Sequence, residues 1–384
     1  MTTWVRADEA VRLLGISKPT LYAYVSRGLI ERHAAVDGRT SLYARRDVEQ
    51  LAERTRSRAP TERPTIDVQV ASSVTALDDS GLTYRGHRVD ELARSASFER
   101  VAELLWSGSL PEQEPHWPID RTALRRIDAA LTATGALDPI TRLAVAAGVL
   151  AGGRASDTAP ADAARRLLAL APSVLGGTLS GTIAERLARA YVRRPTRELV
   201  EALDRALVLL ADHELATSTL AVRVAVSVRT DPFAALAVGL HTVGGSLHGG
   251  AARHVTALLA DATARGAEAA IAEPIDRRQR LAGFGHSIYR NADPRVAPLM
   301  ESVRALAAPS QLEVIHDTRS EAMRVLGRHA NIDFALGALL HVAALPPDVP
   351  LFAVARIAGW AAHDAEERAE RPVRYRGLAR TPTS

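Results

Sequence analysis

The chain contains no cysteine, which removes disulfides, thiolate metal sites and cysteine nucleophiles as sources of stability or chemistry. Aromatic residues make up 4% of it, too few for a platform on which bases could stack. Lysine occurs once, at Lys18, so the positive charge is carried almost entirely by arginine. Met1 to Gly15 has acidic residues at Asp8 and Glu9 and lacks a sustained apolar run. It reads as neither signal peptide nor membrane anchor, and a soluble cytoplasmic protein is expected. Histidines and carboxylates form no compact group at ligand spacing, so no metal is expected.

What is present is length and helix-forming composition. A chain of 384 residues exceeds the usual size of one domain and allows two or three cores. Residues 1 to 60 hold 11 Lys+Arg against 7 Asp+Glu, while the remainder holds 37 of each, so all the excess positive charge is N-terminal. The stretch Arg54 to Pro64 (RTRSRAPTERP) is charged, carries two prolines and has no apolar period, as a linker does. The expected organisation is a module over 1–53, a linker over 54–64 and a body over 65–384.

In the module, Ala7 to Leu14 has helical apolar spacing, Gly15-Ile16 suits a tight turn, and Ser17 can cap a second helix to Arg27 with Gly28 beyond it. A hairpin-like segment around Asp37-Gly38, returning through Ser41 to Ala44, predicts a wing, and a last helix follows from Arg46. From about Phe98 onwards the sequence is rich in Ala, Leu and Arg at three and four spacing, which predicts a nearly all-helical body. Glycines and prolines at Gly176-Gly177, Gly244-Gly245, Gly249-Gly250, Gly283 to Gly285 and Pro346-Pro347 mark the expected helix junctions.

Two junctions carry histidines. In Gly244 to Val255 (GGSLHGGAARHV), His248 stands beside two glycines at an expected helix start, where backbone can approach a ligand closely. In Gly283 to Arg295 (GFGHSIYRNADPR), His286 again follows glycines, with Arg290 and Arg295 after it. Asp333, in Asn331 to Gly337 (NIDFALG), is flanked by apolar residues whose burial would raise its pKa toward that of a working base. Arg356 and Arg371 stand near the C-terminal end, and guanidinium groups suit bidentate recognition of a dicarboxylate. Taken singly, His248 or His286 is more often a buried histidine satisfied by backbone, and Asp333 alone would pass as a helix cap. Their order along the chain supplies the weight.

Together these pieces resemble the citrate synthase family, whose HGG, GxGH, DPR, aspartate and C-terminal arginine motifs occur here in chain order. The likeness begins near Leu82 to Leu92 (LTYRGHRVDEL), continues through Phe98 to Pro111 and Asp212 to Val224 (DHELATSTLAVRV), and covers roughly residues 65 to 377. It implies a mainly α fold, with a large helical domain and a smaller one over about 250–335 closing on a cleft, as a homodimer. It also implies condensation of acetyl-CoA with oxaloacetate to citrate and CoA, propionyl-CoA (2-methylcitrate synthase) being the alternative, without a cofactor. By the same likeness Asp333 is the base, His248 donates to the thioester oxygen, His286 polarises the oxaloacetate carbonyl, and His213, Arg295, Arg356 and Arg371 hold carboxylates. Arg371 would come from the partner subunit, and Arg290 would meet a CoA phosphate. Two departures stand out: Ala216 replaces the family's usual asparagine after HEL, and Ser246 its usual proline before LHGG.

Trp4 to Leu51, above all LGISKPTLYAYVSRGLI, resembles the winged helix-turn-helix of excisionase or MerR-like proteins. That implies Lys18, Thr20, Tyr22 and Tyr24 near a major groove and Arg39, Arg45 and Arg46 on phosphates. The fold does not by itself entail DNA binding, and a protein-contact element is the other reading. A DNA-bound metabolite sensor with little turnover is thus the alternative to an enzyme.

Overall fold

The computed structural model describes residues 4–14, 21, 25, 30–34, 41–48, 68–78, 81–152, 158–245, 248–277, 279–286, 288–289 and 292–377. The chain divides into two units, Met1–Val70 and Ala71–Ser384.

In the first unit, β1 (Trp4–Arg6) leads directly into α1 (Ala7–Leu14), and β2 (Arg32–Ala34) pairs antiparallel with β3 (Ser41–Ala44). The expected wing is therefore a hairpin, with Ala34 opposite Ser41. Strand β1 adds to its other edge through Trp4 opposite Ala44, a partner that the sequence pattern did not reveal. Val5, Ala10, Leu14, Leu21, Ile30, Tyr43 and Val48 form a small separate core. The last helix starts at Arg45, one residue earlier than expected. Most of the second helix and the linker over 54–64 lie outside the described residues.

The second unit opens with a three-stranded antiparallel sheet, β4 (Thr75–Asp78), β5 (Gly81–Tyr84) and β6 (His87–Arg88). Helices follow: α2 (Val89–Ser95), α3 (Phe98–Ser107), α4 (Arg121–Thr134), α5 (Pro139–Ala151), α6 (Pro160–Val174), α7 (Ile183–Tyr191) and α8 (Arg197–Leu210). Then come α9 (Thr217–Ser227), α10 (Pro232–Val243), α11 (Ala251–Arg265) and α12 (Ala267–Asp276). The last are α13 (Val296–Leu306), α14 (Pro309–Leu326), α15 (Ile332–Val342) and α16 (Leu351–Ala369). The glycine and proline junctions all fall between helices, as between Val243 and Ala251.

Local chemistry sets many helix starts. Asp138 and Asp231 each accept backbone N–H bonds ahead of a proline in the first turn, and Thr182 forms a reciprocal capping box with Glu185. Ala216, in the place of the family's asparagine, stands at the N-cap of α9 with no side-chain bond to give.

Helix α16 is the spine of this unit, packing against α3, α6, α8, α9 and α10. Its Trp360 is fully buried beside Gly239, where an added methyl would lie 2.7 Å from the indole. A second close approach joins α11 to α15: Gly337 faces Val255, whose Cβ would be 2.5 Å from an added methyl. Gly283 meets the same valine and has φ +86°, a conformation that favours glycine. Because α11 follows His248 and α15 carries Asp333, Val255 sets the spacing of the elements bearing two candidate site residues.

Two outcomes follow for stability. Ala216→Asn should raise unfolding stability by about 1 kcal/mol by capping α9, read as a higher denaturant midpoint. Gly337→Ala should cost roughly 1–3 kcal/mol by forcing α11 and α15 apart; an unchanged midpoint would mean that the valine simply moves aside.

Candidate active site

The Gly283–Gly285 segment and the start of α15 are joined by backbone. Gly285 N–H donates to the His329 carbonyl (2.8 Å), Asn331 N–H donates to the Gly283 carbonyl (2.9 Å), and Phe284 forms an antiparallel bridge with Ala330. The Asn331 side chain continues the clasp, its Nδ2 donating to the Gly285 carbonyl at 2.8 Å while its Oδ1 accepts from Asp333 N–H at 3.0 Å. His286 and Asp333 are thereby tied together although 47 positions separate them in the chain.

Asp293 does a second task there. Its carboxylate accepts from Arg295 Nε (3.0 Å) and Nη2 (2.9 Å), and also from Ile332 N–H (3.0 Å) at the head of α15. Both side chains are buried. The pair holds the Asp293 carboxyl below its ordinary range and the Arg295 guanidinium above its own.

The two glycine-flanked histidines have defined tautomers. Ser218 N–H, in the first turn of α9, donates to His248 Nε2 at 3.2 Å, with the Ser218 hydroxyl 3.0 Å from the same nitrogen. A backbone N–H can only donate, so Nε2 is the acceptor and the proton sits on Nδ1. His286 is the reverse: its Nδ1 accepts from the N–H groups of Ile288 (3.1 Å) and Tyr289 (3.4 Å), leaving the proton on Nε2.

Burial lowers the pKa of His213, His248 and His286, and nearby guanidiniums lower it further: Arg295 and Arg356 for His213, Arg356 for His248, Arg295 for His286. All three rings are therefore neutral near pH 7 and donate as imidazoles rather than imidazoliums. His213 packs edge-on to His286, with ring centroids 5.2 Å apart, and its Nε2 is 2.8 Å from the Tyr289 hydroxyl. The preceding Asp212 is fully buried and held by Thr75, by the Tyr84 hydroxyl donating to its carbonyl at 2.8 Å, and by His363.

Asp333 behaves oppositely to Asp293. Burial pushes its carboxyl up to about 6, and the neighbouring Arg295 and Arg356 only partly offset this. Its place in the first turn of α15 would favour the charged form, so desolvation outweighs the helix dipole. Arg356, fully buried on α16, donates through Nε to the Leu210 carbonyl at 3.0 Å and lies over the Phe352 ring at 4.6 Å. Its Nη1 is buried with no hydrogen-bond partner. An arginine keeps its charge even where burial disfavours it, so that nitrogen is an unmatched donor suited to an anion. Phe352 also meets the His248 ring edge-on at 6.0 Å.

The structure thus brings together His213, His248, His286, Arg295, Asp333 and Arg356. Arg371 stands exposed just after α16, joined to this cluster by no hydrogen bond or ion pair among the described residues. Arg290 and Ser246 lie outside the described residues. So do Lys18, Thr20, Tyr22, Tyr24 and Arg39. Of the remaining module arginines, Arg46 is exposed, while Arg45 Nη1 sits 3.5 Å from Glu9.

Sequence reasoning missed Ser218, Tyr289, Asp293 and Asn331 as site residues. Asp293 and Tyr289 lie inside a motif already singled out, but nothing in their spacing says that one caps a helix or that the other meets His213. Among the described residues no group of three or more histidines and carboxylates is arranged to hold a metal, and no helix is long and apolar enough to cross a membrane.

A family model for the citrate synthase C-terminal domain matches residues 67–376. The chain belongs to the citrate synthase family. A helix-turn-helix domain model matches residues 4–56, so the module joined to this family's body is of that type. Citrate synthase from Mycolicibacterium smegmatis is 31% identical over 79% of this chain and 89% of its own. 2-Methylcitrate synthase 1 from Corynebacterium glutamicum is 29% identical over 76% and 86%. Among solved structures, citrate synthase from Thermotoga maritima superposes with a TM-score of 0.69 at 23% identity, covering 85% of this chain and 96% of that one. A ternary complex of the Thermoplasma acidophilum citrate synthase with carboxymethyl coenzyme A and oxaloacetate gives 0.67 at 24%, covering 83% and 95%. These likenesses carry the fold.

The Asp333 carboxyl titrates near 6 in the folded chain, against about 4 in an unfolded one. Between those values the native state holds the extra proton, so stability falls as pH rises through the window. Asp333→Asn should therefore stabilise the protein by on the order of 2 kcal/mol at pH 7.5 and by little at pH 4. Denaturant midpoints of both proteins at both pH values check this; equal midpoints at pH 7.5 would remove burial as the controlling cause.

Proposed function

We propose that the protein condenses an acyl-CoA with oxaloacetate and hydrolyses the product thioester, releasing CoA. The observation that carries this is a carboxylate tuned near neutral pH, clustered with two neutral imidazoles whose donor protons are fixed. Asp333 takes a proton from the carbon next to the thioester carbonyl, as a base of that pKa can at physiological pH. The Nδ1–H of His248 hydrogen-bonds the thioester oxygen as it gains charge, and the Nε2–H of His286 polarises the oxaloacetate carbonyl under attack. The carbon–carbon bond forms between the enol(ate) carbon and that carbonyl carbon as the carbonyl π pair moves onto its oxygen, which takes up a proton to become the product hydroxyl. Water then cleaves the citryl thioester.

Arg356, through its unmatched Nη1, together with Arg295 and His213, holds the carboxylates. Arg371 of the partner subunit completes that set in a homodimer. Arg290 meets a CoA phosphate. A cleft of about 580 Å³ lined by His254, Arg277, Arg280 and Leu281 adjoins the Gly283 segment, and Arg280 acts electrostatically on Asp333, which supports an anionic CoA ester approaching from that side. No cofactor enters the scheme. Residues 250–335 are the smaller lobe, and the setting is cytoplasmic. Acetyl-CoA is the expected ester and propionyl-CoA the alternative, since one methylene in an apolar pocket discriminates by only about 1–3 kcal/mol. The curated relatives include both kinds of synthase.

Release of CoA by the purified protein with oxaloacetate and each ester tests the reading. Asp333→Ala should abolish turnover while sparing oxaloacetate binding, and Arg356→Ala should raise the KM for oxaloacetate about tenfold or more. Turnover of the parent should fall about tenfold per pH unit below pH 6, as the base is protonated. Absence of turnover with both esters in a folded protein would sink the synthase reading.

The helix-turn-helix match, with the excess positive charge confined to residues 1–60, supports DNA as a further partner of the module. Retention on DNA that falls steeply between 50 and 200 mM salt is expected; no retention at low salt would leave a protein-contact role.

A further inference from the structure

Arg371 follows the end of α16 on a segment without regular structure, 370–377. Val373, two residues on, has φ +56°, a left-handed conformation costing a β-branched residue about 1–2 kcal/mol. Its side chain is 62% exposed, so burial does not compensate. Polar pins do. Val373 N–H donates to the Ser227 carbonyl at the end of α9 (2.9 Å), and Arg229 Nη2 donates to the Glu370 carbonyl (2.8 Å). Arg374 Nε donates to Glu367 Oε1 at 2.7 Å, and its guanidinium stacks over Tyr375 at 5.0 Å.

Glu367 is fully buried and ionised, and the charge that faces it from within is Arg223, also fully buried, with Nε 3.0 Å from Glu367 Oε2. Arg223 is fixed in turn by His363 Nδ1 (2.8 Å) and Glu366 (2.9 Å). It belongs to α9, the helix whose first turn holds His248 through Ser218. One helix therefore positions the imidazole of His248 in its own site and the segment whose Arg371 serves the partner subunit's site.

We infer that Arg374 is a positioning residue for oxaloacetate binding, holding the strained turn at Val373 so that Arg371 is presented in a single place. The inference rests on the reading of Arg371 as a ligand for the substrate carboxylate. Arg374 is 24% exposed, and when it is removed Glu367 keeps Arg223, so the fold survives and the placement of the segment is what changes.

The test is the dissociation constant of oxaloacetate, measured calorimetrically on the full chain, for Arg374→Gln, Arg374→Lys and Arg371→Ala, alongside the KM for acetyl-CoA and the melting temperature. Arg374→Gln should weaken oxaloacetate binding about tenfold with the acetyl-CoA KM and melting temperature nearly unchanged, and Arg374→Lys should recover most of the loss. In the Arg371→Ala background, Arg374→Gln should add nothing, because the group it positions is gone. Oxaloacetate binding unaltered by Arg374→Gln while Arg371→Ala weakens it would overturn the positioning role alone. Binding unaltered by Arg371→Ala would remove Arg371 as a ligand and the inference with it. A uniform loss for both substrates, tracking a lowered melting temperature, would reduce Arg374 to a structural residue.

Discussion

The site depends on the clasp between Gly283–Gly285 and His329–Asn331. Without it, His286 sits on a loop and Asp333 on a helix with no shared reference. With it, two backbone bonds and the Asn331 side chain hold the two in register. Residue type is dictated at both ends: Gly283 must be glycine for its positive φ and its approach to Val255, and Gly337 must be small to let α15 lie against that same valine. Packing tolerances of tenths of an ångström thereby become the geometry of a carboxyl and an imidazole.

Electrostatics then differentiates chemically similar groups. Asp293, buried, and Asp333, half-buried, are carboxylates within the reach of Arg295, yet the first is held below its ordinary pKa and the second is raised to about 6. The difference is contact: Asp293 takes two direct guanidinium bonds and a backbone N–H, whereas Arg295 and Arg356 influence Asp333 only at a distance, too weakly to repay desolvation. Burial first, and the same arginines second, keep three histidines neutral. Desolvation, opposed by those permanent charges at Asp333 and reinforced by them at the histidines, thus raises a carboxyl and lowers three imidazoles within one cluster.

Behind the site, a largely buried polar chain links His363, Glu366 and Glu367 of α16 to Arg223 of α9 and to Asp212. His363 Nδ1 accepts from Arg223, a donor only, so its Nε2 proton faces Asp212 at 3.3 Å. Glu366 holds Ser72 and Ser73 at 2.8 Å, so the first residues of the second unit and the segment after α16 are fastened to one network. Such networks are costly unless each member is matched, and here single atoms, Asp212 Oδ1 and Arg223 Nη2, lack partners.

The sequence by itself determined the family, the helical body and the module with its wing, because glycine-flanked histidines, a DPR motif and apolar periodicity are local features that survive without coordinates. It determined that Asp333 would be desolvated, since its neighbours are apolar. Tertiary structure alone decided which nitrogen of each histidine carries the proton, that Asp293 serves Arg295 and α15 together, that β1 completes the wing sheet, and that Val373 is strained. Each of these depends on groups far apart in the chain meeting within hydrogen-bond or van der Waals distance, and no local spacing encodes such a meeting.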